Sequence, residues 1–159
     1  MRDRVGHSFM KATMRAKGAQ FGGELSGHFY FAENFTADSG LIAMMSVLSL
    51  LSAPEYRGQT FSQLLTGVRR YHSTGEINFH VEDKAGSIAR LESEYSDGRQ
   101  DSLDGITVEY GELGAREWWW FNVRPSNTEP LLRMNVEASS ARLRDQKKAE
   151  LVELLGTPE

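Results

Sequence analysis

"EWWWFNVRPSNTEPLLRMNVEA", residues 117–138, decides how this chain folds. Strand alternation sends Trp119, Phe121 and Val123 to one face of the first run and Trp118 and Trp120 to the other. After the turn, Leu132, Met134 and Val136 share a face in the same way. Two such runs joined by a short connection pair antiparallel, with one face in a core. The connection itself is over-equipped. A hairpin needs only about two to five residues of turn, yet this one carries Arg124, Ser126, Asn127, Thr128 and Glu129. In one reading the Ser, Asn and Thr cap their own backbone. In the other the loop is an anion site, with Arg124 as a planar fork of donors and the turn's N–H groups forming a nest. Pro125 stiffens the approach and Pro130 delays the next ladder. Composition alone leaves the two even; an arginine at the loop's edge in a net-acidic chain favours the anion.

Working outward, residues 55–159 read as a complete layer. "TFSQ" (60–63) is a capping box that opens a helix with Phe61, Leu64, Leu65 and Val68 on one face. "GEINFHVE" alternates Ile77, Phe79 and Val81 as a strand. "GSIARLESEYS" places Ile88, Leu91 and Tyr95 on a helical face, and "GITVEY" alternates again. "SSARLRDQKKAELVELLG" is a last helix with Gly156 as its stop. The expected class is α+β: an antiparallel sheet with helices on one face.

Residues 1–54 read as unfinished. Ser8 to Ala16 form a helix ended by Gly18, a short strand-like "AQF" follows, and Asp38 or Ser39 caps a helix over 41–51. That helix, "LIAMMSVLSLL", is apolar nearly all round and needs cover on most sides. One short helix and one or two strands are too little, so the segment is expected to be the end of a larger α/β domain.

Composition excludes several classes. Net charge is −4, so no overall field favours nucleic acid or anionic membrane. Cysteine is absent, which removes disulfides, thiolate nucleophiles and cysteine-based zinc sites together. The four histidines are scattered, and no metal site is expected. The longest apolar run has 11 residues against the about 20 of a membrane span. The opening "MRDRVGHSFM" has no signal-type apolar core, and a cytoplasmic location is expected.

A second polar loop, "GGELSGH" (22–28), combines glycines that allow close backbone approach with Glu24, Ser26 and His28. A carboxylate, a hydroxyl and an imidazole together accept from and donate to sugar hydroxyls. The spacing is not that of a helical zinc motif. Read alone, a flexible surface loop is the better account.

Together the two loops resemble the α-D-phosphohexomutases. "GGELSGH" is similar to their sugar-recognition loop and "RPSNTEP" to their C-terminal phosphate loop; "RVGHSFMKATM" and "STGEIN" resemble the bacterial phosphomannomutase/phosphoglucomutase branch. The resemblance implies that residues 1–54 are the end of the family's third domain. Residues 55–159 would be its fourth, a TATA-binding-protein-like α+β domain. It implies sugar contacts from Glu24, Ser26 and His28 and a phosphate held by Arg124, Ser126, Asn127 and Thr128. His7 matches a family histidine near the reacting end, with Lys11 beside it as an auxiliary candidate. The family's phosphoserine motif ("TASHNP"-like) and magnesium motif ("DGDGDR"-like) are absent from this sequence. The implied enzyme moves phosphate between O6 and O1 of a hexose through a hexose 1,6-bisphosphate, with Mg2+ and the preceding domains as partners. This piece is expected to be inactive alone. Leu25 stands where the mannose/glucose branch usually has Met and the phosphoglucosamine mutases usually have Gln, which favours mannose or glucose. A stand-alone sugar-phosphate-binding module and a phosphoglucosamine mutase fragment remain alternatives. A nucleic-acid-binding α+β domain is disfavoured by the charge.

Overall fold

A computed structural model describes residues 1–126 and 129–159 of the chain. It divides into two compact units, Met1–Arg70 and Tyr71–Glu159. The residue pattern puts a boundary at Pro54, whereas the division of the structure follows Arg70.

In the first unit, helix α1 (His7–Lys17) stops at Gly18, whose φ of 64° lets its N–H return to the Met14 carbonyl. Strands β1 (Phe21–Gly23), β2 (Phe29–Phe31) and β3 (Ala37–Asp38) follow as an antiparallel sheet in that order. Tyr30, at the centre of β2, is wholly buried. Of the two expected caps for helix α2 (Gly40–Ser52), Ser39 does the work: its Oγ accepts from the Ile42 N–H at 3.2 Å. No residue of α2 is buried, and Leu41, Met44, Met45, Leu48 and Leu50 are exposed. Ile42, Val47 and Leu51 are half-buried, so the apolar circumference read in the sequence is only partly covered by the described residues. Helix α3 (Phe61–Thr66) opens on the expected capping box, with Thr60 N–H donating to Gln63 Oε1 at 2.7 Å and Gln63 N–H to Thr60 Oγ1 at 3.3 Å. It ends before Val68, which was expected on its apolar face and is exposed instead. A six-residue helix is too short to carry a second apolar turn.

The second unit is the expected antiparallel layer. Its elements are β4 (His72–Ser73), β5 (Ile77–His80), α4 (Lys84–Glu94), β6 (Arg99–Asp101), β7 (Ile106–Tyr110), β8 (Trp119–Pro125), β9 (Leu131–Ala138) and α5 (Ala141–Leu155). The sheet runs β4-β9-β8-β7-β6, and β5 also pairs with β9. Strands β4 and β6 went unread because two or three residues show no alternation; they exist by pairing with the end of β9 and the middle of β7. Register sets Phe121 opposite Val136 and Val108, and Val123 opposite Met134 and Ile106, all fully buried. Leu91 and Tyr95 at the end of α4 and Leu143, Leu151 and Leu155 from α5 close the same cluster. Both helices thus cover one face. Asp83 caps α4 through the Gly86 N–H at 2.8 Å, and Ser140 caps α5 through the Leu143 N–H at 3.2 Å.

The other face is polar. Trp120, Asn122 and Arg124 of β8 lie opposite Glu137, Asn135 and Arg133 of β9. Asn122 Nδ2 donates to the Asp104 carbonyl at 2.9 Å and Thr107 Oγ1 at 3.0 Å, and Trp120 Nε1 to Glu137 at 3.0 Å. This polar row ends at the connection between β8 and β9.

Candidate functional site

Each unit presents one of the two polar loops. In the first, residues 24–27 turn β1 into β2. Gly27 N–H donates to the Glu24 carbonyl and Glu24 N–H to the His28 carbonyl, both at 2.9 Å. Gly27 takes φ 84°, the left-handed conformation that closes a short hairpin loop and that other residues resist. Leu25, Ser26 and His28 are exposed and Glu24 is half-buried. The Glu24 carboxylate is held from two sides: Gly6 N–H donates to Oε1 and Ser26 Oγ to Oε2, each at 3.2 Å. Gly6 precedes His7 at the start of α1, so this bond ties the expected auxiliary histidine to the loop. A cleft of about 510 Å³ opens beside Glu24, lined also by Arg2, Arg4, Thr13 and Gly22. Lys11 is half-buried and does not line it.

Two residues around this loop escaped the sequence reading. Asp38 was weighed only as a helix cap. With Ser39 capping, its Oδ2 lies 3.4 Å from His28 Nδ1 and can orient that ring. Tyr30 lies buried beneath, its hydroxyl without a partner of hydrogen-bond geometry among the described residues. Burial first, then the nearby Glu24 carboxylate and then Asp38, push its phenol from 10.0 up to about 12.

A raised folded value means stability that is complete below pH 10 and lost as pH climbs from 10 to 12. We expect Tyr30→Phe to leave neutral-pH stability within about 1 kcal/mol, since the Glu24 carboxylate near the hydroxyl is already held by Gly6 N–H and Ser26 Oγ. The variant should also lose the alkaline weakening of the first unit. Thermal melts at pH 8 and pH 11, read on first-unit methionine methyl signals, check this; equal pH sensitivity in both proteins would refute it.

In the second unit the loop grows from the ends of β8 and β9. Arg124, the penultimate residue of β8, is only 8% exposed. Its Nη2 lies 3.2 Å from Glu76 Oε2, and Glu76 Oε1 lies 3.1 Å from Arg133 Nη1. Ser126 is buried, donates its N–H to the Leu131 carbonyl at 2.9 Å and accepts from the Glu129 N–H at 3.3 Å. The self-capping reading of this turn is therefore partly real, and it coexists with a nearly buried cation at the loop's root. Glu129 is tied in turn, its carboxylate to Arg133 Nη2 at 2.6 Å and its carbonyl to Lys84 Nζ at 2.9 Å. Asn127 and Thr128, the other two expected phosphate contacts, lie outside the described residues. Glu76 and Arg133 were missed as site residues. The available signal was alternation: with Ile77 facing the core, Glu76 must face the polar side.

No group of three or more His, Cys, Asp or Glu among the described residues could hold a metal ion. The donor set here does not fit the magnesium site that the resemblance implies for the whole enzyme. Among the described residues no helix is long and apolar enough to cross a membrane.

Comparison with known proteins is consistent across the chain. The family model for phosphoglucomutase/phosphomannomutase, alpha/beta/alpha domain III, matches residues 1–71, and that for the phosphoglucomutase/phosphomannomutase C-terminal domain matches residues 76–154. A phosphomannomutase of Methanocaldococcus jannaschii is 37% identical over 155 residues, 98% of this chain and 32% of the relative. A protein of Xanthomonas campestris pv. campestris described as phosphohexose mutases is 39% identical over 154 residues, covering 94% of this chain and 32% of its own. A solved phosphoglucomutase/phosphomannomutase family protein of Burkholderia thailandensis matches with a TM-score of 0.73 at 29% identity, covering 96% of this chain and 31% of that one. The chain thus spans about a third of the length of the curated relatives it matches.

Proposed function

This chain belongs to the phosphoglucomutase/phosphomannomutase family, and on that premise we propose that it is the substrate-gripping part of a phosphohexomutase. The single observation that carries this is Arg124. An almost fully buried guanidinium sits at the root of a Ser-Asn-Thr loop, gripped by Glu76 through one terminal nitrogen, and its planar fork carries further N–H donors suited to a phosphate. In this reading Arg124, Ser126, Asn127 and Thr128 hold the phosphate of the substrate that does not react. Glu24, Ser26 and His28 hold the sugar hydroxyls, with His7 as an auxiliary group at the start of α1. The sugar-side residues belong to a portion spanning 1–54 and the phosphate-side residues to one spanning 55–159.

The whole enzyme would interconvert a hexose 6-phosphate and a hexose 1-phosphate, mannose or glucose, through a phosphoserine and a hexose 1,6-bisphosphate. Its serine and magnesium motifs are not in this sequence. What these residues supply is orientation and electrostatic fit, the main protein contributions to phosphoryl transfer.

The test is an NMR titration of the chain with mannose 1-phosphate, glucosamine 1-phosphate and inorganic phosphate, alongside a mutase assay. We expect Ser126 and Gly27 amide shifts with mannose 1-phosphate, the Ser126 shift alone with inorganic phosphate, and no turnover. Turnover by the isolated chain, or the absence of any Ser126 response, would contradict the proposal.

A further inference from the structure

We propose that Glu76 is a positioning residue of the phosphate loop: one carboxylate that presets two arginines, Arg124 and Arg133, for a single anion. The inference rests on the reading of residues 124–128 as a phosphate site and adds a residue and a cation to it.

Arg124 and Arg133 are directly opposed on β8 and β9, and like charges facing each other across strands destabilise a sheet. An anion is needed to hold that pair. Glu76, at the mouth of β5, supplies it with both oxygens: Oε2 at 3.2 Å from Arg124 and Oε1 at 3.1 Å from Arg133. It engages one terminal nitrogen of each fork. A guanidinium carries five N–H groups, so this grip orients the forks without exhausting them.

The same network reaches the far end of the loop. Arg133 holds the Glu129 carboxylate, and Lys84 at the start of α4 holds the Glu129 carbonyl. Both sides of the loop, Arg124 and Glu129, are thereby referred to one carboxylate. The Arg124 side chain is 10% exposed, so its rotamer is settled before any ligand arrives. A free arginine loses much of its rotamer entropy when immobilised. Presetting it in the folded chain moves that loss out of the binding step, which is how preorganisation raises affinity.

The same geometry has a competing role, Glu76 as a resident anion that repels phosphate. The two roles have opposite signs, and calorimetric titration of the 159-residue chain with inorganic phosphate separates them. We expect Glu76→Ala to weaken phosphate about tenfold, and Glu76→Gln, which keeps an acceptor for Arg124, only about two- to threefold. Arg133→Met should weaken it by about as much as Glu76→Ala. In the ligand-free chain, the Arg124 Nε–H resonance should keep its shift in Glu76→Gln and lose it in Glu76→Ala. Thermal melts of each variant identify simple unfolding, and Glu76→Gln keeps the test open if Glu76→Ala does not fold. Phosphate bound as tightly or more tightly by the Glu76 variants, with Arg124→Met still losing it, overturns this inference alone. Phosphate bound equally by the parent and Arg124→Met, or by neither, overturns the loop reading and this inference with it.

Discussion

Replacing Arg124 by Met should abolish most phosphate binding by this chain, with a loss of about a hundredfold. Hydrogen bonds to charged groups are worth roughly 1.5–3 kcal/mol each, and about 2.7 kcal/mol corresponds to a hundredfold. Met keeps much of the buried volume of an 8%-exposed side chain, so the change removes charge and donors more than packing. Glu76 is not stranded by it, because Arg133 remains 3.1 Å away. The stability change should therefore stay near about 1 kcal/mol. Arg124→Lys is the informative companion: it restores charge without the planar fork, and should recover only part of the affinity. Titration with inorganic phosphate and mannose 1-phosphate, with melting curves alongside, measures all of this. An unchanged dissociation constant in Arg124→Met would end the assignment of this loop to phosphate.

The second large effect is expected at a glycine that touches no ligand. Gly105, just before β7, has φ 67°, and a Cβ built on it would come within 2.2 Å of the Val123 carbonyl and 2.6 Å of Arg124 Cα. Neither neighbour is a flexible side-chain tip; both are backbone of β8. Gly105→Ala thus combines a left-handed conformation, unfavourable by about 1 kcal/mol for a residue with a Cβ, with a clash that only strand movement relieves. We expect the second unit to lose roughly 2–4 kcal/mol, visible as a lower denaturation midpoint. Because the strand must move at Arg124, phosphate affinity should fall together with stability. A stable Gly105→Ala variant with parental affinity would show that β8 yields there without disturbing the arginine.

Much of this was legible in the residues. The alternation of 117–138 identified the central hairpin, since a strand's period of two survives any packing and needs only apolar side chains on one face. The capping boxes and terminators at Thr60, Gly18 and Gly156 were readable because they are local chemistry, complete within a few residues. Strands β4 and β6 were not, because so short a segment becomes a strand only when a neighbour's edge is there to pair with it. Asp38 was hidden for a related reason: beside Ser39 it looked like a cap, and which of the two caps depends on backbone geometry.

The residue types that meet at each loop are written in the chain: a carboxylate, a hydroxyl and an imidazole over 24–28, and an arginine with short donors over 124–128. These are set by local spacing and by glycines whose conformational demands are intrinsic. What stands behind them comes from packing between distant segments. That Glu76 bridges Arg124 and Arg133 follows from pairing β5 and β8 on either side of β9, residues far apart in the chain. That Arg124 is buried follows from the same packing. Charge and hydrogen-bonding capacity belong to a residue; its partner and its exposure belong to the fold.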